Sequence, residues 1–178
     1  QLVNENVYAI LPDKGGNLLL GTLSALVSFN PEKKSFTTID KEKDGTPFTS
    51  QRITILFRDS HKRLWVGGEE GISVFQQEGI EIEKVPILPE SSVTKTFTNC
   101  IYEAANGIIW VGTREGFYCF NEKEKKIKRY TTANGLPNNV VYGILEDTFG
   151  RLWVSTNRGI SCFNPETERF RNFTESDG

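Results

Sequence analysis

One pattern recurs four times along the chain and limits its fold more than any other feature. In each copy a short apolar run leads into a tight turn, and a second apolar run ends in an aromatic residue. The clearest copy is RLWVSTNRGISCFN at 151–164, and the aligned central positions are Leu19, Trp65, Trp110 and Trp153. A period of about 45 residues with several short strands is typical of β-propeller blades. The sequence therefore predicts an all-β fold.

Each repeat divides into four predicted strands, named A to D in chain order. Strand B contains the Trp position and strand C ends in Phe; both are apolar on each face, as in a sheet that is covered on both sides. Strand D alternates apolar and charged residues, which is typical of an outer edge strand. We predict a single β-propeller region over 1–178, with four-stranded antiparallel blades at 1–46, 47–92, 93–135 and 136–178.

Three of the four A strands end in an acidic residue just before a turn: Asp13, Asp59 and Asp147, with Ala104 in the third repeat. An Asp at this place serves the turn by accepting backbone hydrogen bonds. A metal site is the alternative, but no second carboxylate or His accompanies the Asp at ligand spacing. We predict turn residues, and neither a metal nor a cofactor.

The recurring Trp also has two interpretations. It packs between blades, or it offers a platform on which a sugar stacks. A large aromatic residue on nearly every blade favours packing. Cys119 and Cys162 occupy equivalent places in adjacent blades, and packed sheets lie about 10 Å apart, so we predict no disulfide between them.

Composition excludes some classes of partner. Lys and Arg total 21 and Asp and Glu total 23, for a net charge of −2. A nucleic-acid groove would need a basic stripe. No apolar run approaches the ~18 residues of a membrane span, and no signal peptide is recognisable. The chain starts within a repeat and without Met, so we expect it to be a piece of a longer protein.

Catalytic groups are sparse. The only histidine, His61, falls in an A–B turn and is expected at the surface. Glu69, Glu70 and Glu115 fall in B–C turns, where acids of a propeller lyase or glycosidase could converge. No spacing resembles a phosphate-binding loop or a zinc site. We predict that the chain is not an enzyme and name no catalytic residues.

Binding is the preferred function of one face. The long D–A connections, 40–50, 86–97 and 132–139, share a face with the B–C turns, and loops on a rigid scaffold commonly carry binding residues. The candidates for a hydroxyl-rich or anionic ligand are Arg114, Asn157 and Arg158, followed by Asn138 and Asn139. For any single one of them an ordinary polar turn residue is the favoured interpretation, and Arg114 and Arg158 are preferred as binding residues because they occupy neighbouring turns.

The segments 134–147, 150–154 and 157–165 (NGLPNNVVYGILED, GRLWV and NRGISCFNP) closely resemble the regulator-propeller repeat. The resemblance implies the periplasmic sensor region of a Bacteroidetes hybrid two-component system, attached to a membrane helix and a histidine kinase. It also implies a nutrient ligand, such as an oligosaccharide. A dimerisation or interaction scaffold within such a receptor is the alternative, and a lyase or glycoside hydrolase is a second one.

The number of blades leaves two arrangements open. Four blades could close into a small ring, or they could form an open arc of a larger propeller. An open arc would expose the apolar flanks of its first and last blades. Two such arcs meeting head to tail would make a closed homodimer.

Overall fold

The computed structural model describes residues 6–48, 52–86 and 95–174. Within these residues the strands form four antiparallel sheets, each with four strands in chain order. The predicted fold of four-stranded antiparallel blades is confirmed. The chain divides into two compact units, Gln1–Lys95 and Thr96–Gly178, and each unit contains two blades.

Unit one contains blades one and two. Their strands are β1 (Val7–Pro12), β2 (Leu18–Thr22), β3 (Leu26–Asn30) and β4 (Ser35–Ile39), then β5 (Ile53–Arg58), β6 (Leu64–Gly68), β7 (Gly71–Glu78) and β8 (Glu81–Lys84). Unit two contains blades three and four. Their strands are β9 (Thr98–Glu103), β10 (Ile109–Thr113), β11 (Phe117–Asn121) and β12 (Lys126–Tyr130), then β13 (Val141–Glu146), β14 (Leu152–Thr156), β15 (Gly159–Asn164) and β16 (Arg169–Phe173).

The core of unit two forms where blade three packs against blade four. The Trp110 ring stacks on Phe117 at a centroid distance of 4.8 Å and meets Phe163 of blade four edge-on at 5.5 Å. Leu152 and Val154 of blade four are fully buried in the same cluster. Blade three therefore contributes aromatic side chains to this core, and blade four contributes both aliphatic and aromatic ones. In blade one the place of the Trp is taken by Leu19, which packs in a cluster with Leu64 and Val66 of blade two.

Close packing between blades three and four depends on a glycine in strand β10. A Cβ atom at Gly112 would lie 2.4 Å from Cys100 Sγ and 2.5 Å from Val141 Cγ1. In blade four the equivalent position is Ser155, and its cross-strand neighbour is Gly143 instead of a larger residue. At this cross-strand pair, blade three thus carries its side chain on strand A, at Cys100, and blade four carries it on strand B, at Ser155.

The predicted packing role of the Trp is confirmed for Trp65 and Trp110, which are buried. Trp153 differs because it is only partly buried. It lies on the outer flank of blade four, paired across the sheet with Leu145, which is 64% exposed. Its ring stacks on Phe173 at 5.6 Å.

The A–B turn of blade two is closed by three side chains, which we call the Asp–Arg–Trp clasp. Asp59 accepts from the Arg63 backbone N–H at 2.8 Å, from Arg63 Nε at 2.7 Å and from the Trp65 indole at 2.8 Å. Blade four repeats the clasp with Asp147, Arg151 and Trp153. The predicted turn role of Asp59 and Asp147 is thereby confirmed.

Hydrogen bonds in the clasp change the acidity of Asp147. Burial acts to raise its pKa, but donors from Trp153, Arg151 and Phe149 outweigh that effect and lower the pKa to about 2. The carboxylate is therefore ionised at any pH where the protein would normally be studied.

Blades one and three lack the clasp, and the turn prediction for Asp13 is wrong. With Asn17 and Leu19 in place of Arg and Trp, the Asp13 side chain makes no cap. It accepts instead from Arg58 of blade two at 3.1 Å and from Gln77 at 3.0 Å. In blade three Ala104 replaces the Asp. There the backbone N–H of Ala105 donates to Glu146 of blade four at 3.0 Å. The turn of blade one is thus held by Arg58, which directly precedes Asp59 of the blade-two clasp. The turn of blade three is held by Glu146, which directly precedes Asp147 of the blade-four clasp.

Candidate ligand-binding face

The B–C turns lie at the end of each sheet where the A strands begin, because β1 and β2, and their counterparts, run antiparallel. A Thr at the end of strand B holds three of these turns. Thr22, Thr113 and Thr156 each donate a side-chain hydrogen bond to a backbone carbonyl three residues on. In these three blades the turn is therefore fixed to the end of strand B, which supports its exposed residues.

Arg114 is held against an aromatic ring. Its guanidinium carbon lies 4.0 Å from the centroid of the Phe97 ring, and its backbone N–H donates to the Phe97 carbonyl at 3.1 Å. This stacking fixes the cation in place and occupies one face of the guanidinium. Most of the connection that precedes Phe97 lies outside the described residues.

Asn157 and Arg158 occupy the equivalent turn of blade four. Asn157 Oδ1 accepts from the Tyr142 hydroxyl at 2.8 Å. The Arg158 backbone N–H donates to Thr156 Oγ1 at 3.1 Å, and its side chain is exposed. Arg114 and Asn157 thus each have an intramolecular partner, and ligand binding by these three residues stays a prediction.

Asn138 and Asn139 serve their own loop. Asn138 Oδ1 accepts from the Val140 backbone N–H at 2.8 Å, and Asn139 Oδ1 accepts from the Thr132 backbone N–H at 2.9 Å. Leu136 anchors the loop with its buried side chain. Their amide oxygens therefore stabilise the loop itself, and ligand binding by these two residues stays a prediction.

A cavity of about 330 Å³ in unit one opens beside the B–C turn of blade two. It lies between the segment 42–48, which follows blade one, and strands of blade two. The segment is held in place by Lys43, whose backbone N–H donates to the Ile82 carbonyl at 2.7 Å. The volume is within the range of small-molecule sites, near its lower end.

The cavity has an aromatic and aliphatic wall and a charged rim. Phe48 and Phe75 line it and meet edge-on with their ring centroids 5.5 Å apart. The rim includes Glu42, Glu70 and Lys84. Glu42 Oε2 accepts from the Lys84 backbone N–H at 3.3 Å. Most of the exposed lining is polar, and Phe48 is the aromatic side chain that still offers surface to the cavity. Placed polar groups beside an aromatic side chain can fix the orientation of a ligand.

Sequence reasoning identified only Glu70 among these residues. Phe48 was the available signal, since it is the one aromatic residue in the polar connection 40–50. Glu115, the counterpart of Glu70 in blade three, lies 3.7 Å from Arg129. His61 is exposed in its turn.

Other groups add little chemistry. In the described ranges, no three His, Cys, Asp or Glu side chains are grouped so that they could hold a metal ion. Nor does any helix there have the length and apolar character needed to cross a membrane. Cys100, Cys119 and Cys162 are free thiols. Burial raises the pKa of Cys100 to about 12 and that of Cys119 to about 11.

Comparison with known proteins finds a family model that matches two stretches of the chain. The two-component regulator propeller family matches residues 91–115 and 135–158. A curated relative, histidine kinase P4 of Formosa agariphila, is 29% identical over 155 residues, which are 83% of this chain and 11% of the relative. The chain therefore spans about a tenth of that relative.

Solved structures share the fold. The extracellular domain assigned to a hybrid two component system of B. thetaiotaomicron is 23% identical with a TM-score of 0.78, over 97% of this chain and 23% of that one. Virginiamycin B lyase of Staphylococcus aureus is 18% identical with a TM-score of 0.62, over 94% of this chain and 55% of the enzyme. The fold is thus shared with the extracellular domain of a two component system and with a lyase.

Proposed function

We propose that this chain, which carries two-component regulator propeller repeats, is the ligand-recognising part of an extracytoplasmic sensor in a hybrid two-component receptor. The cavity beside Phe48 and Glu70 carries the proposal, because it is lined by a loop-face connection and a B–C turn and combines one accessible aromatic side chain with several polar groups. The histidine kinase relative and the similar extracellular domain support the receptor context. We place the chain in the periplasm for the same reason.

Recognition without turnover is the role proposed for this part of the receptor. The test is calorimetric titration of the chain with a panel of oligosaccharides, followed by mass spectrometry of the recovered ligand. We expect saturable binding of at least one oligosaccharide, with the ligand recovered intact. Cleaved or rearranged products would favour the lyase or hydrolase alternative, and a panel without any binding would contradict ligand sensing by this chain.

A second candidate function is an interaction scaffold, and the outer flank of blade four favours it. Leu145 and Ile160 are 64% and 46% exposed there, beside the partly buried Trp153. In unit two the corresponding flank of blade three is covered by an apolar flank of blade four that contains Leu152 and Val154. Blade one has an apolar flank at the equivalent position, in which Ile10, paired across the sheet with Leu20, is exposed. We propose that the blade-one flank of a second copy covers blade four.

Sedimentation over a concentration series tests this dimer. We expect a concentration-dependent dimer that Leu145→Glu or Ile160→Lys converts to a monomer, because a charge would be buried without a partner. Ile80→Glu is the control, since Ile80 is similarly exposed on blade two, outside that flank. A compact monomer at high concentration would contradict the scaffold.

A further inference from the structure

We infer that the cavity between the segment 42–48 and blade two binds a neutral saccharide unit rather than an acidic one. The inference rests on the proposed sensing function and adds a location and a ligand charge to it. It uses residues of unit one alone, whereas the arginines predicted from the sequence for an acidic ligand lie in unit two.

The wall of the cavity suits the apolar face of a sugar ring. Phe48 is only half-buried although it touches Phe75, which is almost fully buried. Phe48 is therefore the aromatic ring with surface left for a ligand. A pyranose carries its C–H bonds on one face and its hydroxyls at the edge, so an aromatic wall next to a polar rim matches both parts.

The rim supplies acceptors and a donor for hydroxyl groups. Within the part of the chain that the structure describes, the side chains of Glu70 and Lys84 take part in no ion pair or hydrogen bond with each other or with a third residue. Glu42 shares one carboxylate oxygen with a backbone N–H at the long distance of 3.3 Å. Hydrogen bonds between a carboxylate and a sugar hydroxyl are charge-assisted and stronger than neutral ones.

The charge around the cavity decides between neutral and acidic saccharides. Glu42 and Glu70 face one lysine, Lys84, at the cavity itself. An adjoining hollow of about 490 Å³ shares Glu42 and Lys84 and adds Asp44, Glu83 and Lys43. Four carboxylates thus surround two ammonium groups. A sulfate or uronic carboxylate entering this site would meet like charges, which is unfavourable.

The test compares matched variants of the whole chain by calorimetry, using neutral disaccharides and a sulfated, uronic-acid-containing disaccharide as probes. Glu70→Gln removes a rim charge and Phe48→Ala removes the aromatic wall. Glu115→Gln is the control, because Glu115 holds the equivalent turn position in blade three and lies in the other unit.

We expect a neutral disaccharide to bind and the sulfated one to bind at least about tenfold more weakly. Glu70→Gln should weaken neutral binding by about tenfold, the scale of one charge-assisted hydrogen bond, and Glu115→Gln should leave it unchanged. Phe48→Ala should weaken it as well, with far-ultraviolet circular dichroism reporting whether the variant folds.

Each other outcome overturns a different claim. Neutral binding that survives both Glu70→Gln and Phe48→Ala would remove this cavity as the site while ligand sensing stands. Preferred binding of the sulfated disaccharide would refute the charge argument. If no saccharide binds the unaltered chain, both the inference and the proposed sensing function fail together.

Discussion

Gly112→Ala tests how closely blade four packs on blade three. The new Cβ atom would lie 2.4 Å from Cys100 Sγ and 2.5 Å from Val141 Cγ1. Apolar atoms in contact are normally about 3.5–4.0 Å apart, so each neighbour would have to move by about 1 Å. Val141 is fully buried and belongs to the core of unit two. A simple rotation of its side chain would push it into other core atoms.

The expected loss of stability follows from this overlap. Extra methyl groups in a close-packed core typically reduce the free energy of unfolding by about 1–3 kcal/mol. For a chain of this length, each kcal/mol lowers the melting temperature by about 2–4 °C. Urea unfolding would measure the change. It can be followed by circular dichroism at about 218 nm, near the minimum of a β-sheet spectrum.

Two further variants connect the loss to its cause. Cys100→Ala removes the sulfur that a Cβ at position 112 would meet, so the double variant should lose less than the sum of the two single variants, with a coupling of about 0.5–3 kcal/mol. Gly143→Ala is the matched control, because its nearest neighbour is a single hydroxyl, Ser155 Oγ at 3.1 Å. A loss below about 0.5 kcal/mol for Gly112→Ala would refute the close contact between these blades.

Three other predictions concern stability and reactivity. Trp110→Ala should reduce the free energy of unfolding by about 3–5 kcal/mol, as a large core truncation does, and Trp153→Ala by clearly less because its ring is partly exposed; equal losses in urea titrations would contradict this. Asp147→Asn should be less stable than the unaltered chain at pH 7, and the gap should close as the pH falls from about 4 through 2. The sign follows from the lowered pKa: the carboxylate stabilises the fold above its unfolded pKa near 3.8 and stops doing so once it is protonated near 2. Unfolding curves across this pH range measure it, and a constant gap would refute the clasp. Cys100 should react with iodoacetamide at pH 8 much more slowly in the native chain than in urea, since its pKa is raised to about 12; equal rates by mass spectrometry would contradict its burial.

The parts of the fold that depend on local pattern could be predicted from the sequence. The spacing of Trp65 and Trp110, with a Phe about ten residues later, located strands B and C of each blade. The Asp before three of the A–B turns was predicted to serve the turn, and this holds for Asp59 and Asp147, where Arg and Trp follow at fixed short distances. Such signals involve residues within a few positions of one another, so a single repeat contains all of them.

Features that depend on distant residues could not be predicted. Asp13 binds Arg58 and Gln77, which lie 45 and 64 residues away. The cavity arises because a connection after blade one lies against a strand of blade two, and nothing local to Phe48 specifies that contact. The partial exposure of Trp153 likewise depends on what packs on its blade, since the Leu-Trp-Val of its strand is identical to that around the buried Trp65.

The Asp–Arg–Trp clasp has a consequence for the order in which the chain folds. All its hydrogen bonds join residues at most six positions apart, so closing it restricts little of the unfolded chain. Blades two and four can therefore form their first hairpin early, by themselves. Blades one and three have turns held by Arg58 and Glu146, which come from the later blade of each unit. We expect the second blade of each pair to nucleate and the first to assemble on it, against the direction in which the ribosome delivers them.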